Sequence, residues 1–244
     1  MAEFSMKVAG QTARVTTIFE STLEYCRPYL TEDAPDFSIA TTQADMALIQ
    51  KLRIEEAIRE GIRIRHYQGP YLERGSLQHK FAEHLFRHNT LLVHGSTVAV
   101  DGAAYLFTAD CGTGKSTHTR LWREVFGDRA QMVNDDKPFL RLTPEGVLAC
   151  GSPWSGKHGL DSNITVPLKG ICILHRGPEN RIRRITPEEA LPMLRKQSHC
   201  PSQEDHPRFL ELMAVLADRV PLWEMECNKD PQAARVAYSA MAGE

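Results

Sequence analysis

The stretch 105-YLFTADCGTGKSTHTRLW-122 decides the reading of this chain. An apolar run with strand character enters Gly112-Thr113-Gly114-Lys115-Ser116-Thr117, and a helical pattern follows at once. Glycines at such a junction let backbone N–H groups converge on phosphate oxygens, and the next helix presents its positive end. In that pattern a lysine neutralises the outer phosphates and a Ser or Thr hydroxyl ligates Mg²⁺. The pattern Gly-x-x-x-x-Gly-Lys-[Ser/Thr] has glycine where this chain has Ala109. That position asks for a small residue more than for a positive φ, so alanine is tolerated there.

Working outward, 90-TLLVHGSTVAVDGAAYLFTA-109 alternates apolar residues around Asp101-Gly102, the residue pair favoured in a two-residue hairpin turn. On the other side, 130-AQMVNDD-136 is a short apolar strand ending in two acids. Asp135 and Asp136 follow Lys115 by 20 and 21 positions, about the length of a helix, a turn and a strand. They can therefore return beside the loop, one facing a metal and the other an acceptor hydroxyl. His94 precedes the first strand of the hairpin, which can bring it to the mouth of the same site.

The remaining elements point to an α/β chain with a mixed sheet. The segment 139-FLRLTPEGVLACG-151 reads as a second hairpin and 168-LKGICILHRG-177 as a buried strand. Thr186 with Glu189, and Pro187 at the first helical position, announces a helix start. Residues 209–220 and 230–242 read as helices, with a strand over 221-PLWEMEC-227 between them. Residues 1–90 read as an α+β portion: strands in 7-KVAGQTARVTTIF-19 and 36-DFSIATT-42, then helices over 43–61 and 75–89. Arg63, Arg65 and Arg74 there are candidates to face a charged substrate, and this portion is a candidate to bind the acceptor. Residues 91–244 are expected to form the nucleotide-binding and catalytic portion.

Composition narrows the class. A chain of 244 residues, 42% hydrophobic, can build a substantial core. Twenty-nine basic against 31 acidic residues give no general pull toward nucleic acid or an anionic membrane. Six scattered cysteines with no Cys-x-x-Cys pair suit reduced thiols, and neither a secretory leader nor a membrane span is expected. The expectation is a cytoplasmic protein that meets neither nucleic acid nor membrane.

The pieces VHGSTVAVDG, ADCGTGKST and VNDD, in that order, resemble the HPr kinase/phosphorylase family and, more distantly, ATP-dependent phosphoenolpyruvate carboxykinase. The pattern resembles most the small HPr-kinase-like proteins associated with peptide modification. The resemblance implies a P-loop fold binding ATP with Mg²⁺ (or Mn²⁺) over Ala109, Asp110, Cys111, Gly112, Thr113, Gly114, Lys115, Ser116 and Thr117. It implies Lys115 on the β/γ-phosphates, Ser116 and Asp136 at the metal, Asp135 as general base, and His94 near the reacting phosphate. It also implies an alcohol acceptor on a peptide, protein or small metabolite, and it allows a homo-oligomer. The sequence departs from the family at Ala109, at Cys111 in place of serine, and after the aspartates, where 151-GSPWSGKHGLD-161 stands. That segment reads as a substrate or lid loop: Ser155 and Gly156 as N–H donors, Lys157 as a movable charge on the transferring group, Trp154 as a stacking face. Arg176, in 176-RGPENRIRR-184, is a weaker candidate for the nucleotide, the segment reading first as a solvated hairpin. Two alternatives stay open: a nucleotide-sensing module without transfer, and a bifunctional kinase/phosphorylase.

Overall fold

The computed structural model of the chain describes residues 1–61 and 63–243, which divide into two compact units, Met1–His84 and Leu85–Glu244. No helix among the described residues is long and apolar enough to cross a membrane.

In the first unit, β1 (Ala2–Val8) and β2 (Gln11–Thr17) form a hairpin through Ala9-Gly10, both with positive φ. Helix α1 (Glu20–Cys26) follows, and β3 (Phe37–Ala40) then pairs in parallel with β2. Helix α2 (Gln43–Glu60) starts at a Thr42/Asp45 capping box and stops at Gly61, whose φ of 66° a side chain resists. Helix α3 (Gly69–Arg87) completes this part. The unit is organised around the buried carboxylate of Glu73 on α3, which accepts four hydrogen bonds. They come from the Ile18 N–H (2.5 Å), the Phe19 N–H (3.2 Å), the Thr22 hydroxyl (2.5 Å) and the Thr41 hydroxyl (2.7 Å). Together they fix the turn from β2 into α1, which lacks a side-chain cap of its own.

The second unit is a three-layer α/β body around a curled mixed sheet. Its elements are β4 (Thr90–Leu92), β5 (Ser96–Val100), β6 (Ala103–Thr108), α4 (Lys115–Phe126), β7 (Ala130–Asn134), β8 (Phe139–Thr143), β9 (Gly146–Cys150), β10 (Thr165–Arg176), β11 (Arg181–Arg184), α5 (Pro187–Lys196), α6 (His206–Arg219), β12 (Leu222–Cys227) and α7 (Gln232–Ala242). The main path of the sheet is β4-β8-β9-β10-β6-β5-β7, and β12 with β11 branches from β10. Strand β10 curls the sheet by changing partners along its length. Its start pairs antiparallel with β9, its middle parallel with β6 across an irregularity at Leu168/Gly170, and its end parallel with β12.

The two-residue period of the central strands sorts side chains into two cores. Ala104, Leu106, Ile171 and Ile173 face Leu194, Phe209 and Leu216 of α5 and α6. Tyr105, Phe107, Cys172 and Leu174 face Leu121 and Trp122 of α4 and Ala233 and Ala237 of α7. The Asp101-Gly102 turn has φ of 51° and 79°, as the residue pair predicts. The capping box of α5 is present, and α4 begins at Lys115. Residues 181–184, expected to fold back on the strand before them, instead pair antiparallel with β12. There the central sheet supplies a partner that no local pattern announces.

Candidate functional site

Strand β6 delivers the chain to the glycine loop. Ala109 is fully buried, so its methyl group fills space where the pattern has glycine, and it is absent from the residues with positive φ. Gly112 (φ 76°) and Gly114 (φ 121°) occupy conformations that L side chains resist. Lys115 is buried at the first turn of α4 and donates from Nζ to the Ala109 carbonyl at 3.1 Å, folding back across the loop. Burial lowers its pKa. Nearby Lys137 acts in the same direction, while the charges of Asp136 and Asp110 oppose it. Ser116 and Thr117 are half-buried and Cys111 is exposed at the turn.

The acids lie where β7 ends. Asp135 is buried, 6% exposed, and accepts a hydrogen bond at Oδ1 from Ser96 Oγ at 2.6 Å. With its one proton on Asp135, Ser96 Oγ accepts from Thr119 Oγ1 of α4 at 2.7 Å. A chain of hydroxyls thus ties the carboxylate to the loop helix. Asp136 is half-exposed, with His94 Nε2 3.3 Å from its Oδ1, and its carbonyl accepts from the Gly95 N–H at 3.1 Å. The His94 carbonyl in turn accepts from Thr108 Oγ1, at the end of β6, at 3.0 Å. The sequence-derived loop, both acids and His94 therefore meet in one place, with His94 beside Asp136.

The segment 151–161 lies against the acids. The Asp135 N–H donates to the Leu160 carbonyl at 3.0 Å, and Asn134 Nδ2 donates to the Ser152 carbonyl at 2.8 Å. A side chain at Gly156 would come within 3.1 Å of Asp136 Cβ, and its φ of 72° also favours glycine. Lys157, exposed, follows on a short 3-10 turn. Trp154 does not offer the expected stacking face: it is 5% exposed and packs edge-on against Phe139. Ser155 is buried, and its hydroxyl donates to Asp161 Oδ2 at 2.5 Å.

Arg176 is drawn closer than its surroundings suggested. From the end of β10 its guanidinium donates to the Thr113 carbonyl at 3.0 Å and to the Gly112 carbonyl. Lys196, in the last turn of α5, pairs with Asp110 at 2.6 Å. A cleft of about 290 Å³ opens beside the loop, with Leu174 and Met193 in its wall. Ser96, Thr119 and Lys196 escaped the sequence reading because their partners lie 39, 23 and 86 positions away. In the first unit Arg74 lies over the Tyr25 ring, 4.3 Å from its centre, and Arg63 and Arg65 are exposed.

These residues fit a phosphate ester better than a free-standing metal. Among the described residues no group of three or more His, Cys, Asp or Glu side chains could hold an ion. Mg²⁺ is commonly bound through one or two carboxylates together with substrate phosphates. Asp136, whose charge acts on Lys115 at the N-terminus of α4, suits that kind of site.

Fold and site together define an α/β protein with a glycine loop at a helix N-terminus facing two acids. No family model matches the chain, and no curated protein matches it. Among solved structures it is similar to the Hpr(Ser) kinase/phosphatase from Coxiella burnetii, at 11% identity and a TM-score of 0.39. The likeness covers 62% of this chain and 97% of that one. The functional reading below rests on the loop and the acids.

Proposed function

We propose that the chain is a kinase that moves the γ-phosphoryl group of ATP to a hydroxyl group, in a cytoplasmic setting, on a peptide, a protein or a small metabolite. The single observation that carries this reading is the buried Asp135 carboxylate, held at one oxygen by Ser96 and tied through Thr119 to the helix that begins with Lys115. A protein that only holds a nucleotide has no use for a second carboxylate beside the one suited to metal.

The roles follow from chemistry and position. With the Thr113 N–H on the Asp110 carbonyl, the other backbone N–H groups of residues 110–116 and the N-terminal end of α4 hold the phosphates. Lys115, whose proton burial makes easier to lose, regains full favour for its charge when an anion arrives. Ser116 and Asp136 would hold Mg²⁺, which supplies charge neutralisation on the phosphates. Asp135 accepts the proton of the attacking hydroxyl, a contribution typically worth 10²–10⁴-fold. His94 orients Asp136, and Lys157 would approach the transferring group.

The test is ATP consumption with Mg²⁺, wild type against Asp135→Asn, across a library of hydroxyl-bearing amino acids, sugars and peptides. Acceptor-dependent turnover lost in Asp135→Asn supports the kinase. ATP binding that no acceptor turns into consumption favours a nucleotide-sensing module, and consumption of a phosphorylated product with phosphate reveals the reverse reaction. Failure to bind ATP sinks the reading.

A further inference from the structure

We infer that Arg176 is a positioning residue that holds the glycine loop in its phosphate-receiving shape through the loop carbonyls, with Lys196 as a second tie; the inference rests on the kinase reading for the identity of the ligand. The argument begins with the peptide bond. Because the unit is planar and trans, the carbonyl of one residue points opposite to the N–H of the next. A group that grips the Gly112 and Thr113 carbonyls therefore also sets the directions of the Thr113 and Gly114 N–H groups.

Arg176 does this with one planar fork, Nε to Thr113 and Nη2 to Gly112. The Thr113 N–H is turned inward, onto the Asp110 carbonyl at 3.2 Å. The Gly114 N–H is turned away from the guanidinium, at the start of α4. Lys196 holds the Asp110 side chain at the other end of the same loop. Both glycines that give the loop its shape also make it entropically costly to order, since glycine loses more freedom than any other residue. A rigid fork with two donors offsets that cost, and a point charge on a flexible stem does so poorly. Two of the five guanidinium N–H donors are on these carbonyls, which gives Arg176 a role in shaping the loop.

Three variants and two readouts test this. Amide hydrogen exchange over residues 109–117 is measured on the ligand-free protein for wild type, Arg176→Ala, Arg176→Lys and Lys196→Ala. Affinity for inorganic tripolyphosphate and for ATP, each with Mg²⁺, is measured in parallel. Arg176→Ala should speed loop exchange and weaken both ligands by the same factor, roughly ten-fold, the equivalent of one charged hydrogen bond. Arg176→Lys should recover little of that loss, and Lys196→Ala should show a smaller effect. Three results overturn the inference: unchanged loop exchange, full recovery by lysine, or a loss for ATP with none for tripolyphosphate. If wild type binds neither ligand, the kinase reading fails, while the exchange data still decide whether Arg176 shapes the loop. Arg176 is exposed, and the lysine variant keeps its aliphatic stem, so at least one variant retains the fold.

Discussion

Among the described residues each unit buries one carboxylate at a turn, and the two are treated differently. Glu73 is fully buried and receives four donors across both oxygens, two from backbone and two from hydroxyls. Asp135 is nearly as buried, yet among the described residues Ser96 is the donor found for its carboxylate. A carboxylate whose lone pairs are filled by its own chain is a structural joint. One left with an oxygen to spare, in a place reached by loop, helix and strand, is equipped to take a hydrogen bond from something else. Burial alone would have ranked the two the other way round.

The largest effect expected from breaking that contrast is on turnover. Asp135→Asn keeps the shape and removes the proton acceptor, so acceptor-dependent ATP consumption should fall by about 10²–10⁴-fold. Calorimetric binding of ATP and the thermal midpoint should change little. Glu73→Gln should do the reverse. Each oxygen takes one backbone N–H and one hydroxyl, and the hydroxyl can turn to accept from the new NH₂, so one backbone N–H is left unpaired, at roughly 2 kcal/mol. Urea denaturation should therefore report a loss of roughly 2 kcal/mol, with ATP affinity of the folded fraction retained.

A buried base sharpens the comparison from the other direction. His118 on α4 is 2% exposed, accepts from Trp122 Nε1 at 3.1 Å, and is held by desolvation at a pKa of about 4, below its usual 6.5. The folded state refuses a proton that the unfolded state accepts, so between pH 6.5 and about 4 the unfolded form binds more protons. Stability should fall as pH drops through that window, by on the order of 3 kcal/mol in total. Thermal melts from pH 7 to 4.5 on wild type and His118→Asn would show the slope in the first and a shallower one in the second. The smallest effect should come from Ser96→Ala. It removes the donor that orients Asp135 and should lower kcat by about ten-fold, near the value of one hydrogen bond to a charged group, with KM for ATP unchanged.

What the sequence made legible was whatever is decided within a few residues. The Asp101-Gly102 turn, the Thr186/Glu189 capping box and the strand–loop–helix junction at 103–126 each follow from local backbone preferences. Helix α1 was not foreseen. It is seven residues long, starts at an uncapped Phe19, and is held by Glu73 from more than 50 positions away. The candidate site divides in the same way. Lys115, Asp135, Asp136 and His94 belong to motifs that sit in short stretches of chain. The hydroxyls and cations that hold them come from distant elements, and the burial of Trp154 under Phe139 was set by a hairpin rather than by its own neighbours.

The twelve-residue run of β10 works as a length gauge. Its first residues are zipped to β9, just past the segment that lies on the acids, and its last residue grips the glycine loop. Inserting or deleting one residue between Thr165 and Arg176 would keep the strand but swap its faces and move that grip by about 3.3 Å. The interior of this strand is therefore where the protein should least tolerate a change in chain length. The exposed residues just after Gly177 are where a tag or a split point is most readily accommodated.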